Sequence, residues 1–518
     1  MSKFYITTPI YYASGQPHIG HAYTTVAADV LARYHRLIGD NVFFLTGMDE
    51  HGLKIQQKAE EQKKTPQEFV DEIAESFKLA WEKLNIKYDN FIRTVDEKHV
   101  EGVKEVITKL FEAGYIEKGK YEALYCVGCE QYKTRSELVE GKCPDHLTEP
   151  ELKFEEAYLF KMSKFKNQIL DIIKNDKVRI KPDSRKNEII SFLEREGLND
   201  IAFSRLKKNV YWGIDLPFDG DHTTYVWADA FLNYLTGLGW PQDKEKYEQF
   251  WPPNVQLMAK DIFRVHATIW LSMLLAMKEE LPQEMFVHGY FTSGGQKMSK
   301  SIGNVINPLE LVDKYGADFV RYILLKEMVF GSDGDLTLGR IAEKYEADFA
   351  KGLGNFSSRV LKMIEKYSDS IIPQDEKQDR PILDSKRDFS ENNEAFWALY
   401  EQNLSGYAYN LVLSHSVFNL AISENDKYIE QTKPWEIAKS GNEKKLFAVL
   451  YYLAESLRQI TIAIYPFMPE TANKIREQLG IKKIDENNFD FYNEIKWGGL
   501  KPGTKIGKIE ALFPRIEN

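Results

Sequence analysis

The chain has 518 residues, 28% of them charged, and a formal net charge of −10 at pH 7. This length allows several domains with substantial cores, and the acidic balance argues against a protein that binds nucleic acid by bulk positive charge alone. Three cysteines exclude a disulfide framework and fit a reducing compartment. Because no apolar signal segment opens the chain and its longest apolar stretch, residues 269–277, is too short to span a bilayer, we expect a cytoplasmic protein without a membrane partner.

A strand, a turn-rich loop and a helix open the chain. Residues 3–8 predict the strand, and helical spacing of apolar residues begins at the motif His18-Ile19-Gly20-His21. His18 and His21 are three positions apart, so both project from one face of the first turn. A helix start above a parallel sheet presents N–H groups and a positive dipole end, and Gly20 lets a flat base or a phosphate come close. This segment predicts a nucleotide site.

All three cysteines lie in one loop-rich window. Cys126-Val127-Gly128-Cys129 is followed by Cys143-Pro144-Asp145-His146. Two pairs of soft donors, each separated by two residues, can close a tetrahedron around Zn²⁺. A redox Cys-x-x-Cys would leave Cys143 and His146 unused, and unliganded core thiols fit a loop-rich setting poorly. We therefore expect a structural zinc site, since four ligands leave no open position for catalysis.

A second motif, Lys297-Met298-Ser299-Lys300-Ser301, lies on a glycine-flanked loop. Lysines on a mobile loop can close over a triphosphate and neutralise charge that develops on a leaving pyrophosphate. Alone, this motif is equally well explained as a solvated loop, and the histidine motif can arise by chance. The ordered pair of motifs favours nucleotide chemistry.

The C-terminal part has a helical period. Phe349, Leu353, Phe356, Val360 and Ile364 form one apolar stripe, and residues 446–464 predict a long buried helix. These features indicate a helical bundle.

The predicted fold class is α/β, with a doubly wound parallel-sheet (Rossmann-type) catalytic domain, a zinc-knuckle insertion and a C-terminal α-helical bundle. The expected boundaries are 1–115 for the first half of the sheet domain, 116–224 for the inserted connective domain, 225–295 for the second half, 296–345 for the lysine loop and connecting module, and 346–518 for the bundle.

The two motifs resemble the signatures of class I aminoacyl-tRNA synthetases, and their flanks resemble the methionyl branch, of the bacterial type with a single zinc knuckle. The flanks are Pro9-Ile10-Tyr11-Tyr12, Thr46-Gly47-Met48-Asp49-Glu50-His51-Gly52, Tyr225-Val226-Trp227-Ala228-Asp229-Ala230 and Ala259-Lys260-Asp261-Ile262-Phe263-Arg264-Val265-His266. The resemblance runs from Lys3 to about the end of the chain.

The resemblance implies a two-step ligase. The carboxylate of methionine attacks the α-phosphate of ATP, with Mg²⁺ holding the phosphates, and pyrophosphate leaves. A ribose hydroxyl of the 3′-terminal adenosine of tRNA(Met), initiator or elongator, then attacks the methionyl adenylate, and AMP leaves. Because the substrate supplies the nucleophile, the protein contributes positioning and charge stabilisation.

The resemblance and residue chemistry together assign the sites. Asp49 opposes the methionine ammonium, and aromatic walls suit the polarizable thioether, although from the residues alone those aromatics are better explained as core. The expected methionine-binding residues are Pro9, Ile10, Tyr12, Asp49, Trp227, Ala230, Tyr234, Ile262 and His266. The expected ATP-binding residues are His18, Gly20, His21, Asp261 and Lys300, with His51 also suited to nucleotide or ribose, and the expected catalytic residues are His18, His21, Lys297 and Lys300.

Anticodon recognition is expected in the bundle. Asn355 and Arg359 share a helix face, and Trp435 is suited to stack on an unpaired base. Helix packing explains these three residues better from the sequence alone, and only the resemblance favours anticodon binding.

Two other functions were weighed. A synthetase for leucine, isoleucine or valine would share both motifs, but it would carry a large editing insertion for which 116–224 is too short. A catalytically silent tRNA-binding relative would be expected to lack Lys300, His21 or Asp49, and all three are present. Because the chain stops at Asn518 without the β-barrel that many relatives append, we expect a monomer.

Overall fold

The structure, a computed structural model, describes residues 2–133, 138–144, 147–298, 306–382 and 388–513. Its strands are β1 (Lys3–Thr7), β2 (Tyr11–Tyr12), β3 (Asn41–Asp49), β4 (Asn90–Arg93), β5 (Ile116–Cys126), β6 (Gln131–Lys133), β7 (Glu151–Phe160), β8 (Arg179–Lys181), β9 (Ile201–Ala202), β10 (Ser204–Leu206), β11 (Asp215–Leu216), β12 (Asp219–Thr224), β13 (Val255–Ala259), β14 (Glu284–His288), β15 (Phe291–Ser293), β16 (Gln296–Lys297) and β17 (Gly334–Asp335).

The α-helices are α1 (Ile19–Leu37), α2 (Leu53–Glu61), α3 (Pro66–Lys83), α4 (Glu97–Glu112), α5 (Lys166–Lys174), α6 (Asp183–Arg195), α7 (Val226–Ala230), α8 (Asn233–Thr236), α9 (Lys244–Phe250), α10 (Lys260–Val265), α11 (Leu271–Met277), α12 (Pro308–Tyr315), α13 (Ala317–Lys326), α14 (Leu338–Lys344), α15 (Gly354–Tyr367), α16 (Asn393–Ser405), α17 (Tyr409–Leu411), α18 (Glu424–Thr432), α19 (Pro434–Ser440), α20 (Glu443–Ile464), α21 (Pro469–Gln478) and α22 (Phe491–Glu494). Short 3₁₀ segments lie at Met162–Phe165 and Lys377–Asp379, and π-helical segments at His266–Trp270, Tyr345–Leu353 and Val412–Ser423.

The main sheet is parallel throughout, which confirms the predicted fold class. Its strand order is β2-β3-β1-β13-β14-β8, with β4 beside β3. The chain leaves the central strand β1 toward β3 on one side and returns through β13 on the other. Such a reversal opens a crevice at the carboxyl ends of the strands, where α/β proteins bind ligands.

Helix α1 agrees with its prediction. His18 caps it, its first turn follows directly, and its buried face includes Val26 and Val30. The chain turns away after Leu37 at Gly39, whose φ of 89° is the left-handed region that glycine adopts without strain.

Two segments of the main domain differ from their predictions. The sequence pattern predicts a strand over residues 42–46 and a loop at Asp49, but β3 continues to Asp49 because Gly47 pairs with Ile92 and Asp49 with Tyr12. A Cβ on Gly47 would lie 2.1 Å from the Ile92 carbonyl oxygen, so only glycine permits this pairing. The pattern of residues 223–227 predicts a strand, but β12 ends at Thr224 and Trp227 lies in helix α7.

The segment expected as an insertion contains its own antiparallel sheet, in the order β6-β5-β7-β9. Within the same segment, however, β8 pairs in parallel with β14 at the edge of the main sheet. The chain therefore returns to the main sheet between the insertion's own strands, and the domain boundaries stay a prediction.

The C-terminal region from α14 onward is helical where the structure describes it. The predicted stripe from Phe349 to Ile364 is fully buried, and the predicted long helix is α20. By length and composition, α20 is also the one helix in the described ranges that could cross a membrane, and nearly all of its apolar stretch is buried inside the protein.

Candidate active site and metal cluster

A cavity of 760 Å³ lies at the carboxyl ends of β1, β3, β13 and β14. Thirteen residues expected at the site line it, namely Pro9, Ile10, Tyr12, His18, Gly20, His21, Asp49, Trp227, Ala230, Tyr234, Asp261, Ile262 and His266. They come from segments far apart in the sequence, and the parallel sheet brings them together. Their individual roles stay predictions.

One wall of the cavity is held by a hydrogen-bond chain through His266. Its Nδ1 lies 2.8 Å from the Ile262 carbonyl oxygen, and its Nε2 lies 2.8 Å from the Tyr234 hydroxyl. Burial lowers the pKa of His266 to about 4, so the ring is neutral near pH 7. A neutral ring donates through Nδ1 and accepts through Nε2, which fixes the orientation of Tyr234 and leaves this wall uncharged.

Asp49 and Glu130 are buried carboxylates that line the cavity, and Asp49 is the one with an unsatisfied oxygen. Burial and the nearby carboxylates of Asp229 and Glu130 raise its pKa well above the usual range. Its Oδ1 has no hydrogen-bond partner among the described residues. A buried carboxylate oxygen without a partner is costly, and an incoming cation such as an ammonium group would satisfy it.

The two motif histidines stack on each other at the start of α1. Their ring centroids are 3.6 Å apart. His18 Nδ1 accepts from the backbone N–H of Gly20 at 3.1 Å, and His21 Nδ1 accepts from the backbone N–H of His18 at 3.3 Å. These capping bonds fix both rings at the positive end of the helix, where an anion is favoured.

His51 is buried and is not among the described residues that line the cavity. Its Nδ1 is 2.7 Å from Asp229 Oδ2, and the other oxygen of Asp229 is 2.8 Å from His99 Nε2. The contact with Asp229 fixes the orientation of the His51 ring, and its expected nucleotide contact stays a prediction.

The cysteine cluster forms at the end of β5. The Sγ atoms of Cys126, Cys129 and Cys143 all lie within 4.8 Å of one another, and those of Cys129 and Cys143 are 3.5 Å apart. None of these three described cysteines forms a disulfide bond. Thiolates on a tetrahedral zinc, at about 2.3 Å from the metal, would be about 3.8 Å apart, so the donor set fits Zn²⁺. His146 lies outside the described residues.

A family model described as tRNA synthetases class I (M) matches residues 4–149 and 146–361. The methionine–tRNA ligase of Caldanaerobacter subterraneus subsp. tengcongensis is 44% identical over 99% of this chain and 79% of its own length. The ligase of Clostridium tetani is 44% identical over 99% of this chain and 78% of its own length. This chain belongs to the class I methionyl-tRNA synthetases.

Solved structures of the family extend the likeness to the whole fold. Mycobacterium tuberculosis methionyl-tRNA synthetase in complex with methionyl-adenylate matches with a TM-score of 0.91 at 34% identity, covering 99% of this chain and 100% of that one. The free form of the same enzyme matches with a TM-score of 0.83 at 31% identity, covering 100% and 99%. The resemblance inferred from the motifs is confirmed.

Several cavity residues were missed by the sequence reasoning. His288 lines the cavity at the carboxyl end of β14, with its Nε2 2.7 Å from the Thr24 hydroxyl on α1. Burial lowers its pKa to about 4. A histidine at the end of a predicted parallel strand was a usable signal for it. Glu130, next to Cys129, also lines the cavity, and no sequence signal pointed to it.

The lysine loop is only partly described. Lys297 is the last residue of β16, and Met298 lines the cavity. Lys300, with the rest of residues 299–305, lies outside the described residues. The catalytic roles of Lys297 and Lys300 therefore stay predictions.

The three expected anticodon residues lie on neighbouring helices. Asn355 is exposed on α15, and one turn later Arg359 pairs with Asp426 at 3.1 Å and also with Glu430, both on α18. Trp435 is half-buried on α19, which follows α18 directly. The arrangement places them in one region of the helical domain, and their role stays a prediction.

Proposed function

We propose that this protein is a methionine–tRNA ligase, which activates methionine with ATP and transfers it to tRNA(Met). The observation that carries the proposal is the unsatisfied oxygen of Asp49, buried in an aromatic-walled cavity that opens toward the histidine motif. The names of the relatives support the same reaction.

The amino-acid end of the cavity fits methionine by charge and by shape. Asp49 meets the substrate ammonium, and its carboxylate is the group most in need of a cation there. Tyr12, Trp227 and Tyr234 supply aromatic surface for the thioether. The neutral His266–Tyr234 pair adds no charge to this wall, so a charged side chain such as that of lysine or glutamate would be disfavoured.

The nucleotide end lies at the start of α1. The helix N-terminus, His18 and His21 face the phosphates, and Gly20 leaves room for them. Mg²⁺ bound with ATP supplies further charge neutralisation. Lys300, assisted by Lys297, stabilises the leaving pyrophosphate, and Asp261 is placed on the cavity wall to bind the nucleotide.

The cysteine cluster is proposed to hold one structural Zn²⁺, with His146 as the fourth ligand. The metal would brace the loop between β5 and β7, which borders the cavity through Gly128, Cys129 and Glu130.

The helical domain is proposed to bind the anticodon through Asn355, Arg359 and Trp435. The carboxylates of Asp426 and Glu430 hold the Arg359 guanidinium in place on the surface. Both initiator and elongator tRNA(Met) are expected substrates, in the cytoplasm, and the monomeric state also stays a prediction.

A charging assay tests the proposal. Purified protein with ATP, Mg²⁺ and labelled methionine should acylate initiator and elongator tRNA(Met), and it should not acylate a leucine tRNA. Charging of neither methionine tRNA would refute the proposal.

A further inference from the structure

Glu130 occupies an unusual position between the cysteine cluster and the cavity. It directly follows Cys129, is 5% exposed, and has a left-handed backbone with a φ of 53°. This conformation is unfavourable for a residue with a Cβ and persists only where surrounding contacts hold it.

The carboxylate of Glu130 is surrounded by donors. Its Oε1 accepts from the Tyr12 hydroxyl at 2.8 Å and from the backbone N–H of Lys54 at 2.7 Å. Its Oε2 accepts from the Tyr125 hydroxyl at 2.6 Å. Three donors that converge on one carboxylate hold one another in place, so this side chain anchors the groups around it.

The backbone of Glu130 reaches the opposite wall. Its carbonyl oxygen accepts from Trp227 Nε1 at 3.2 Å and from the Tyr225 hydroxyl at 2.6 Å. One residue thus bonds to both Tyr12 and Trp227, two of the aromatic wall residues expected for methionine.

The packing around the Glu130–Tyr12 hydrogen bond is tight. A Cβ on Gly52 would lie 3.0 Å from Glu130 Oε1 and 2.9 Å from the Tyr12 hydroxyl. Gly52 also has a φ of 113°, which favours glycine on its own account. The start of α2 is therefore shaped around the Glu130–Tyr12 bond.

From these contacts we infer that Glu130 is a positioning residue for methionine, fixing Tyr12 and Trp227 to the loop that carries the cysteine cluster. The inference rests on the proposed function, because it concerns the same amino-acid pocket. Glu130 acts through the two aromatic side chains, so it governs methionine affinity and leaves ATP binding unchanged.

The test compares Glu130→Ala with Glu130→Gln and with Glu140→Ala. Glutamine keeps an acceptor oxygen for the Tyr12 hydroxyl and is the conservative rescue. Glu140 is an exposed glutamate in the same loop with a similar φ of 51°, so its replacement by alanine reproduces the backbone change alone. The readouts are methionine binding by calorimetry, KM for methionine and for ATP in pyrophosphate exchange, and zinc content by elemental analysis.

We expect Glu130→Ala to weaken methionine binding and to raise the KM for methionine by about tenfold, which is the size of losing one or two buried hydrogen bonds. The KM for ATP and the metal content should match those of the unaltered protein, Glu130→Gln should recover most of the loss, and Glu140→Ala should behave as the unaltered protein does.

Wild-type methionine binding in Glu130→Ala would overturn the inference. So would an equal rise in both KM values, or loss of metal, because either result would make Glu130 a residue of the fold instead of the pocket. If the unaltered protein does not bind methionine, the proposed function fails. If the unaltered protein binds methionine and Glu130→Ala binds it equally well, only the inference about Glu130 fails.

Discussion

Arg321 Nη2 lies 2.6 Å from Asp29 Oδ2, and both side chains are fully buried. Asp29 is on α1, the helix that begins at His18, and it also pairs with Arg33 at 2.7 Å. Arg321 is on α13 and donates to the carbonyl oxygens of Pro466 and Phe467, beyond the end of α20. This network joins the helix of the histidine motif to the helical domain.

Removing the charge of Asp29 should therefore destabilise the protein. Asp29→Asn removes the carboxylate that Arg321 pairs with and leaves Arg33 with the carboxylate of Glu486 alone. We expect a loss of about 3–5 kcal/mol in the free energy of unfolding, measured with denaturant. As a control, Lys83→Gln breaks a largely exposed pair with Asp313 and should cost about 0–1 kcal/mol.

The pairing of Asp29 with the two arginines should also make the stability of the protein depend on pH in the acid range. Burial opposes the charge of Asp29, but Arg33 and Arg321 outweigh it and hold the pKa of Asp29 below its usual range. A lowered folded pKa stabilises the protein above the unfolded pKa, and this contribution is lost as pH falls through the folded value. The stability of Asp29→Asn should accordingly approach that of the unaltered protein at strongly acid pH, and a constant gap would contradict the assignment.

Asp49 is expected to change the stability of the protein with pH in the opposite direction to Asp29. Its pKa is raised by burial and by neighbouring carboxylates, so its ionised form costs stability, and that cost grows as pH rises above the unfolded pKa. Asp49→Asn should raise the melting temperature of the free protein near neutral pH while abolishing methionine binding. In the unaltered protein, methionine affinity should fall as pH is lowered through the raised pKa, because a protonated Asp49 cannot pair with the ammonium.

Thermal melts and methionine titrations over a pH series check both halves of this prediction. Asp261→Asn serves as the control, because Asp261 is an exposed carboxylate elsewhere on the cavity wall. If Asp49→Asn retains methionine affinity, the ammonium binds elsewhere.

The metal prediction concerns Cys143. Freshly prepared protein should contain one Zn²⁺ per chain, and Cys143→Ser should release it and make the loop between β5 and β7 sensitive to limited proteolysis. Lys142→Ala, at an exposed neighbouring position, should keep the metal. Elemental analysis that finds no zinc in the unaltered protein, expressed with zinc present, would contradict the assignment.

Sequence patterns predicted the local structure well and the long-range contacts poorly. The strand before His18 and the helix after it follow from hydrophobic periodicity and a capping motif, and both lie where they were expected. The extension of β3 to Asp49 was missed, because Gly47 interrupts the strand pattern and is tolerated only through its pairing with Ile92. Strand β8 was missed because three residues give no periodic signal.

The residues of the candidate site were likewise predicted where a local motif marks them and missed where only long-range contacts define them. Motifs located His18, Asp49 and the cysteines, and the sheet then brought them together. Glu130 could not be found from the sequence, since its partners Tyr12 and Trp227 are 118 and 97 positions away and no pattern relates them.

The anticodon prediction distinguishes tRNA binding from the activation of methionine by ATP. If Trp435 stacks on an anticodon base, Trp435→Ala should remove about 1–3 kcal/mol of tRNA binding. Pyrophosphate exchange without tRNA should stay close to that of the unaltered protein, because methionine and ATP bind at the main sheet. Asn355→Ala and Arg359→Ala should follow the same pattern, and equal loss in both assays would make Trp435 a packing residue.

The most direct test of the account is ATP–pyrophosphate exchange measured separately with each of the twenty amino acids. Exchange requires formation and reversal of the aminoacyl adenylate, so it reports on the cavity and the two motifs without tRNA. Methionine alone should support rapid exchange. Faster exchange with leucine, isoleucine or valine than with methionine, or none with any amino acid, would contradict the account.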